Sequence, residues 1–321
     1  MLRALRRALF PCVPALLPGV LLSLGALASL GACGKGDGPA APAGAGATDV
    51  PVSGLRLLDA GRGEKAPLRF RYAKGTKQVL VLEATTSFGA SIPGPAMTTT
   101  GDLTLEVTDV EPDGTATVET STGGMTMSGG PAGVTAPAAL AKLSSRARMR
   151  LSPRGEVLAN ELNMDTAGLE PELRAMVASM QASLKETLGQ IGVVWPEEPL
   201  GPGARWVFRR KMNTGMADAD VNVETTLVAR DGDRVTLSSQ MKVAMDAQDI
   251  EVPGSGRKVH LKGMLGHGTV QQVVTLTSPA STLDLTMTIA MEMELPGRTS
   301  ATAPPPQKLE LTTTQRLRPK D

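Results

Sequence analysis

Side chains able to do chemistry are scarce in this chain. Its two histidines, His260 and His267, stand seven residues apart. On one continuous strand an odd separation puts them on opposite faces, and the Gly266-His267-Gly268 context predicts an exposed turn for the second. Neither fits a Ser/His/Asp or metal-ligand arrangement. Glu292 and Glu294 are spaced as a carboxylate pair for acid–base work, but they occupy the polar positions of an alternating segment and read as a solvated face. Glu197 and Glu198, held between Pro196 and Pro199, read as a loop. No glycine fingerprint for nucleotide phosphates occurs. The sequence therefore assigns no catalytic residue, no metal centre and no cofactor.

Methionine is the unusual side chain, with 16 in the chain against 7 aromatics. Thioethers suit Cu(I), and Met125-Thr126-Met127, in a Gly-rich stretch, is placed as an exposed binder would be. The others recur at core spacing. Met241 and Met245, then Met287, Met291 and Met293, fall at even separations. Met176 and Met180 lie on a helical stripe. Flexible thioethers also suit an apolar surface that adapts to varied ligands. The candidate ligand-binding set is Met241, Met245, Leu285, Met287, Ile289, Met291, Met293, Met176 and Met180. The alternative is that these residues simply fill a packed core.

The element that must position them is 283–295, where every odd residue is large and apolar and every even one polar or small. A period of two is a strand with one dry face, and at about 3.3 Å per residue it runs roughly 43 Å. So long a one-sided strand predicts a large curved antiparallel sheet around something apolar. A second long alternation spans 235–245. Shorter ones include 68–72, 103–107, 221–227 and 309–317. Asp113-Gly114, Ser152-Pro-Arg-Gly155 and Asp231-Gly232 supply hairpin turns, and 122–145 reads as a Gly/Pro-rich excursion. One helix is predicted near 171–191: Pro171 at its first turn, then an apolar stripe through Leu173, Met176, Val177, Met180, Leu184, Leu188 and Ile191. The segment 102–114 aligns without a gap to 220–232, which suggests pseudo-repeats at about 66–168 and 203–317. The expected fold is mainly β, a curved sheet or half-barrel of two similar units with the helix packed on its concave face.

The N-terminus has its own character. Arg3, Arg6 and Arg7 precede an almost wholly apolar run from 8 to 30, followed by Leu30-Gly31-Ala32-Cys33. A basic start, an apolar stretch and small residues before a cleavage point make a secretory signal. A Cys directly after Leu-Gly-Ala resembles the lipobox of bacterial lipoproteins. That resemblance covers the first 33 residues and implies that Cys33 becomes the first mature residue and carries acyl chains. Gly34 stands where members retained at the inner membrane tend to have Asp, so it implies the periplasmic side of the outer membrane. The expected organisation is a signal peptide at 1–32, a lipidated Gly/Ala/Pro-rich tether at 33–54 and a single β domain at 55–321. Treated as a random coil, the tether spans on the order of 25 Å.

Loss of 1–32 leaves 30 Lys+Arg against 32 Asp+Glu, a net charge of −2. That balance offers no basic footprint for nucleic acid. With Cys12 in the signal and Cys33 lipidated, no thiol remains for a disulfide. The layout of sheet and helix is similar to the half-barrel lipoproteins and lipoprotein carriers of the bacterial envelope, and this resemblance implies an acyl chain held between sheet and helix. The expected partners are thus a membrane, through the anchor, and a lipid or other apolar ligand; the alternative is a structural lipoprotein that meets another envelope protein.

Overall fold

The computed structural model describes residues 54–90, 92, 94–130, 144–166, 174, 177, 181, 193–213, 218–252, 257–294 and 307–320. Thirteen strands form one open antiparallel sheet: β1 (Gly54–Asp59), β2 (Lys77–Phe88), β3 (Met97–Val110), β4 (Ala116–Gly129), β5 (Ser145–Leu151), β6 (Val157–Met164), β7 (Arg205–Asn213), β8 (Asp218–Asp231), β9 (Arg234–Met245), β10 (Gln248–Val252), β11 (Arg257–Thr275), β12 (Ser281–Glu294) and β13 (Gln307–Pro319). Their spatial order is β1-β7-β8-β9-β11-β12-β13-β2-β3-β4-β5-β6, with β10 paired to β11. The last strand lies against the first long one, with Leu317 opposite Leu82 and Leu311 opposite Phe88. This pairing zips the two halves of the chain into one sheet.

Side-chain alternation builds the two faces. On β9 the residues Val235, Leu237, Ser239, Met241, Val243 and Met245 are buried, while Gln240, Lys242 and Ala244 are exposed. β12 does the same through Leu283, Leu285, Met287, Ile289 and Met291. The hairpin turns follow their residues. Gly114 takes φ 85°, and the Thr115 N–H donates to Asp113 Oδ1 at 2.9 Å. Gly155, at φ 86°, closes the β5–β6 turn where a Cβ would meet Val193 O at 2.2 Å. Such a position requires glycine.

Register sorts the connections by rim. The turns β3–β4, β5–β6, β8–β9 and β11–β12 all lie at one end of the strands. The longer connections, including 130–144 and 295–306, leave from the other. β6 ends at that second rim, whereas Trp195 N–H donates to Arg154 O at the first. The described flanks of 167–192 thus stand at opposite rims.

The first rim is stitched shut. Phe70 N–H donates to Pro153 O and Arg71 N–H to Leu276 O, each at 2.7 Å. Those two turns lie six strand spacings apart in the sheet, roughly 29 Å if it were flat. Consecutive residues reach both, so the sheet must curl. Within the curl sits an aromatic plug. Phe70 stacks on Tyr72 with centroids 5.3 Å apart, Trp195 lies 5.8 Å from Phe70, and Trp206 lies 6.1 Å from Trp195. Leu68, Leu200, Leu227 and Leu276 pack around them. The larger core, beside and beyond the plug, is aliphatic and methionine-rich.

Four expectations need correcting. The segment 68–72 alternates as a strand does, but its hydrogen-bond partners are turns, so it makes no ladder. Gly266-His267-Gly268 is no turn: it lies in the middle of the 19-residue β11, although His267 is exposed as expected. The excursion from 122 begins as strand, since β4 runs to Gly129. No helix is delineated among the described residues. Most of 171–191, including Met176 and Met180, lies outside them, as do Cys33 and the residues up to 53. Arg174, Val177 and Gln181 are described and helical; Val177 is fully buried, and Gln181 Nε2 donates to Leu162 O at 2.7 Å. Among the described residues no helix is long and apolar enough to cross a membrane.

Candidate functional site

The alternating strands bring six of the nine predicted residues onto one inward face. Met241 on β9, Gly268 on β11, Met287 on β12 and Thr313 on β13 are successive register partners. One row nearer the second rim come Val243, Gly266, Ile289 and Leu311, and above them Met245, Met264, Met291 and Leu309. Leu285 sits one row below Met287, opposite Val270 and Gln315. Met241, Met245, Leu285, Met287, Ile289 and Met291 are all at most 8% exposed. Met293 belongs to β12 by register, opposite Leu261 and Gln307. Met125 and Met127 stand on β4, several strands away on the same sheet; Met127 is the register partner of Thr99 and is exposed.

Glycine shapes the middle of the face. A Cβ at Gly266 would stand 3.2 Å from Met287 Cε and 3.4 Å from Ile289 Cγ1 and Val243 Cβ. The space left by the missing side chain on β11 is thus taken by neighbours from β9 and β12. Here the methionines pack as well as line.

Polar side chains sit among them at inward positions. Thr225 on β8 and Ser239 on β9 hydrogen-bond at 2.9 Å, and Thr86 on β2 and Thr313 on β13 at 3.1 Å. Each hydroxyl pair satisfies itself, so these groups cost little when buried. Arg210 differs. It follows Trp206 and Phe208 on the inward parity of β7 and is the register partner of Val221. Its guanidinium carbon lies 5.3 Å from the Phe208 ring centroid. Its Nε is sequestered with no hydrogen-bond partner, and among the described residues it forms no ion pair. Burial pushes its pKa down to about 10, which leaves it fully charged at neutral pH. The inward positions of β7, β8, β9, β12, β13 and β2 carry no carboxylate. Sequence reading passed over Arg210, yet its even spacing from Trp206 and Phe208 was a signal that it points inward.

A cavity of about 30 Å³ lies at the plugged rim, lined by Phe70, Tyr72, Gln272, Val274, Ser278 and Ser281 among others. That is room for about one water. Burial pushes the Tyr72 phenol pKa upward, so it stays protonated. It lies on the same inward face but nearer the plug, and none of the candidate methionines lines it. Among the described residues no group of three or more His, Cys, Asp and Glu could hold a metal. His260 pairs with Asp249 at 2.8 Å on the exposed β10–β11 hairpin, remote from His267. Comparison with protein-family models, with curated proteins and with solved structures finds no match.

Proposed function

We propose that this is a non-enzymatic, outer-membrane-anchored periplasmic lipoprotein that binds an apolar ligand, such as a lipid, along the Met- and Leu-lined inward face of its sheet. The observation that carries this reading is the asymmetry of the two rims. One end is closed by the aromatic plug and the stitch through Phe70 and Arg71. The body above it is lined by adaptable thioethers, and the other end carries the long connections. β1 begins at Gly54, opposite Arg209 at the middle of β7, and runs toward the plugged rim, so a tether from Cys33 would reach the sheet from the side of the second rim. In this reading the two similar β units share one curved sheet whose inward face holds the ligand.

Purified protein, extracted with organic solvent and weighed by native mass spectrometry, is expected to carry co-purified lipid and to take up a fluorescent fatty acid. A clean apo mass with no uptake overturns the reading.

The near-complete burial of the methionines, with the small cavity placed elsewhere, favours a second reading. In it the core is fully packed and the protein is a structural lipoprotein that meets another envelope protein. Crosslinking in intact envelopes would then trap one defined partner, and the lipid assay would stay negative.

A further inference from the structure

We propose that Arg210 is the head-group subsite of that ligand site, and that the ligand is an anionic amphiphile. Its carboxylate or phosphate sits at the Arg210 guanidinium and its single alkyl chain lies down the methionine face. The inference rests on the apolar-ligand reading and narrows it to a charged class.

Three observations converge. A partly buried guanidinium on an apolar face is costly unless something neutralises it. Among the described residues no ion pair does: the guanidinium lies over the Phe208 ring, and its Nε makes no hydrogen bond. The inward positions of neighbouring strands offer no carboxylate, so the charge is not awaiting a slightly shifted partner on the sheet. Phe208 stands against the guanidinium, its ring centroid 5.3 Å from the guanidinium carbon, and an oxyanion could take two parallel hydrogen bonds from the group, the geometry in which Arg excels.

Placement and length fit as well. Arg210 pairs with Val221 in the row of Val243, Gly266 and Ile289, three residues from the second-rim end of β7, and Leu227 lies at the plug. Six residues of strand separate those two levels, about 20 Å at 3.3 Å per residue, which matches an extended chain on the order of sixteen carbons. The head would lie one row in from Met245, Met264 and Met291 on the side of the second rim, where the tethered membrane supplies amphiphiles. The tail would end on the aromatic plug.

The test uses the full-length protein in phosphatidylcholine nanodiscs, with protein-free nanodiscs as the blank. Binding of fluorescent analogues of hexadecanoic acid, hexadecyl phosphate and hexadecanol is compared for wild type, Arg210→Gln and Arg210→Lys. At least one of the two anions is expected to bind wild type about tenfold or more tighter than the alcohol, the scale of a charged hydrogen bond. The stronger anion then identifies the head-group class. Arg210→Gln should remove that preference, leave alcohol binding unchanged and melt no lower than wild type. Arg210→Lys should keep part of the preference. Equal binding of acid, phosphate and alcohol to wild type overturns the Arg210 assignment and leaves the apolar-ligand reading standing. Loss of all three together in Arg210→Gln, with a lower Tm, makes the residue structural and also overturns it. No binding of any probe overturns both.

Discussion

Met287 on β12 reaches across to Gly266 on β11, so that a Cβ built at 266 would stand 3.2 Å from Met287 Cε. Two strand positions away, a Cβ at Gly268 would instead meet backbone: Thr286 O at 2.8 Å and Met287 Cα at 3.3 Å. One glycine faces the mobile end of a thioether and the other faces the main chain of the next strand. The methionine face therefore yields at one level and is rigid at another.

That contrast sets the first expectation. Gly266→Ala should cost less than about 1 kcal/mol, because Met287 can rotate aside and the strand loses a flexible residue. Gly268→Ala should cost about 1–3 kcal/mol, since β12 itself must shift. Urea unfolding midpoints of the two variants check this, and equal values would contradict it.

The plug gives a second. Trp195 is fully buried between Phe70 and Trp206, yet its indole Nε1 has no hydrogen-bond partner. Trp195→Ala should cost about 3–5 kcal/mol through the cavity it leaves. Trp195→Phe keeps a ring between its neighbours and removes the unsatisfied N–H, so its cost should stay under about 1.5 kcal/mol. Denaturation followed by the fluorescence of Trp206 measures both.

The β3–β4 turn gives a third, with a defined sign. The Thr115 backbone N–H, and then its hydroxyl, hold the Asp113 carboxyl below the usual carboxylate range. A lowered folded-state pKa contributes stability that is present above the unfolded value of about 3.9 and is lost as pH falls through the folded value. Asp113→Asn keeps an acceptor but no charge. Its Tm should fall slightly below wild type at neutral pH and converge with wild type in acid; a constant offset down to pH 2 would exclude the linkage.

The anchor gives a fourth. Two or more acyl chains hold a protein firmly, whereas one gives marginal binding. Cys33→Ser should abolish metabolic labelling by a fatty-acid probe and shift the protein out of the membrane fraction. A variant that remains labelled would refute lipidation at Cys33.

Much of the sheet was legible one segment at a time. The dry and wet faces of β9 and β12 follow from period-two alternation, which is local and survives any register. The turns at Asp113-Gly114, Ser152–Gly155 and Asp231-Gly232 were legible for the same reason: a positive-φ glycine and an Asp side chain act on their own few residues. The segment 68–72 shows the limit. Its alternation correctly marks a two-faced extended chain, but whether its neighbours are strands or turns is decided by chain far away. Gly266 and Gly268 mislead for a related reason, because the volume that makes them strand residues belongs to Met287 and Ile289.

The candidate site divides in the same way. The sequence by itself determined which methionines share a face, since parity within a strand requires no partner. Only the tertiary structure decided that those residues are covered, that the plug closes one rim, and that Arg210 stands on the same face without a carboxylate. A charge is neutralised, or left alone, by groups that the sheet brings together from five or more strands, and no single segment of sequence contains that sum.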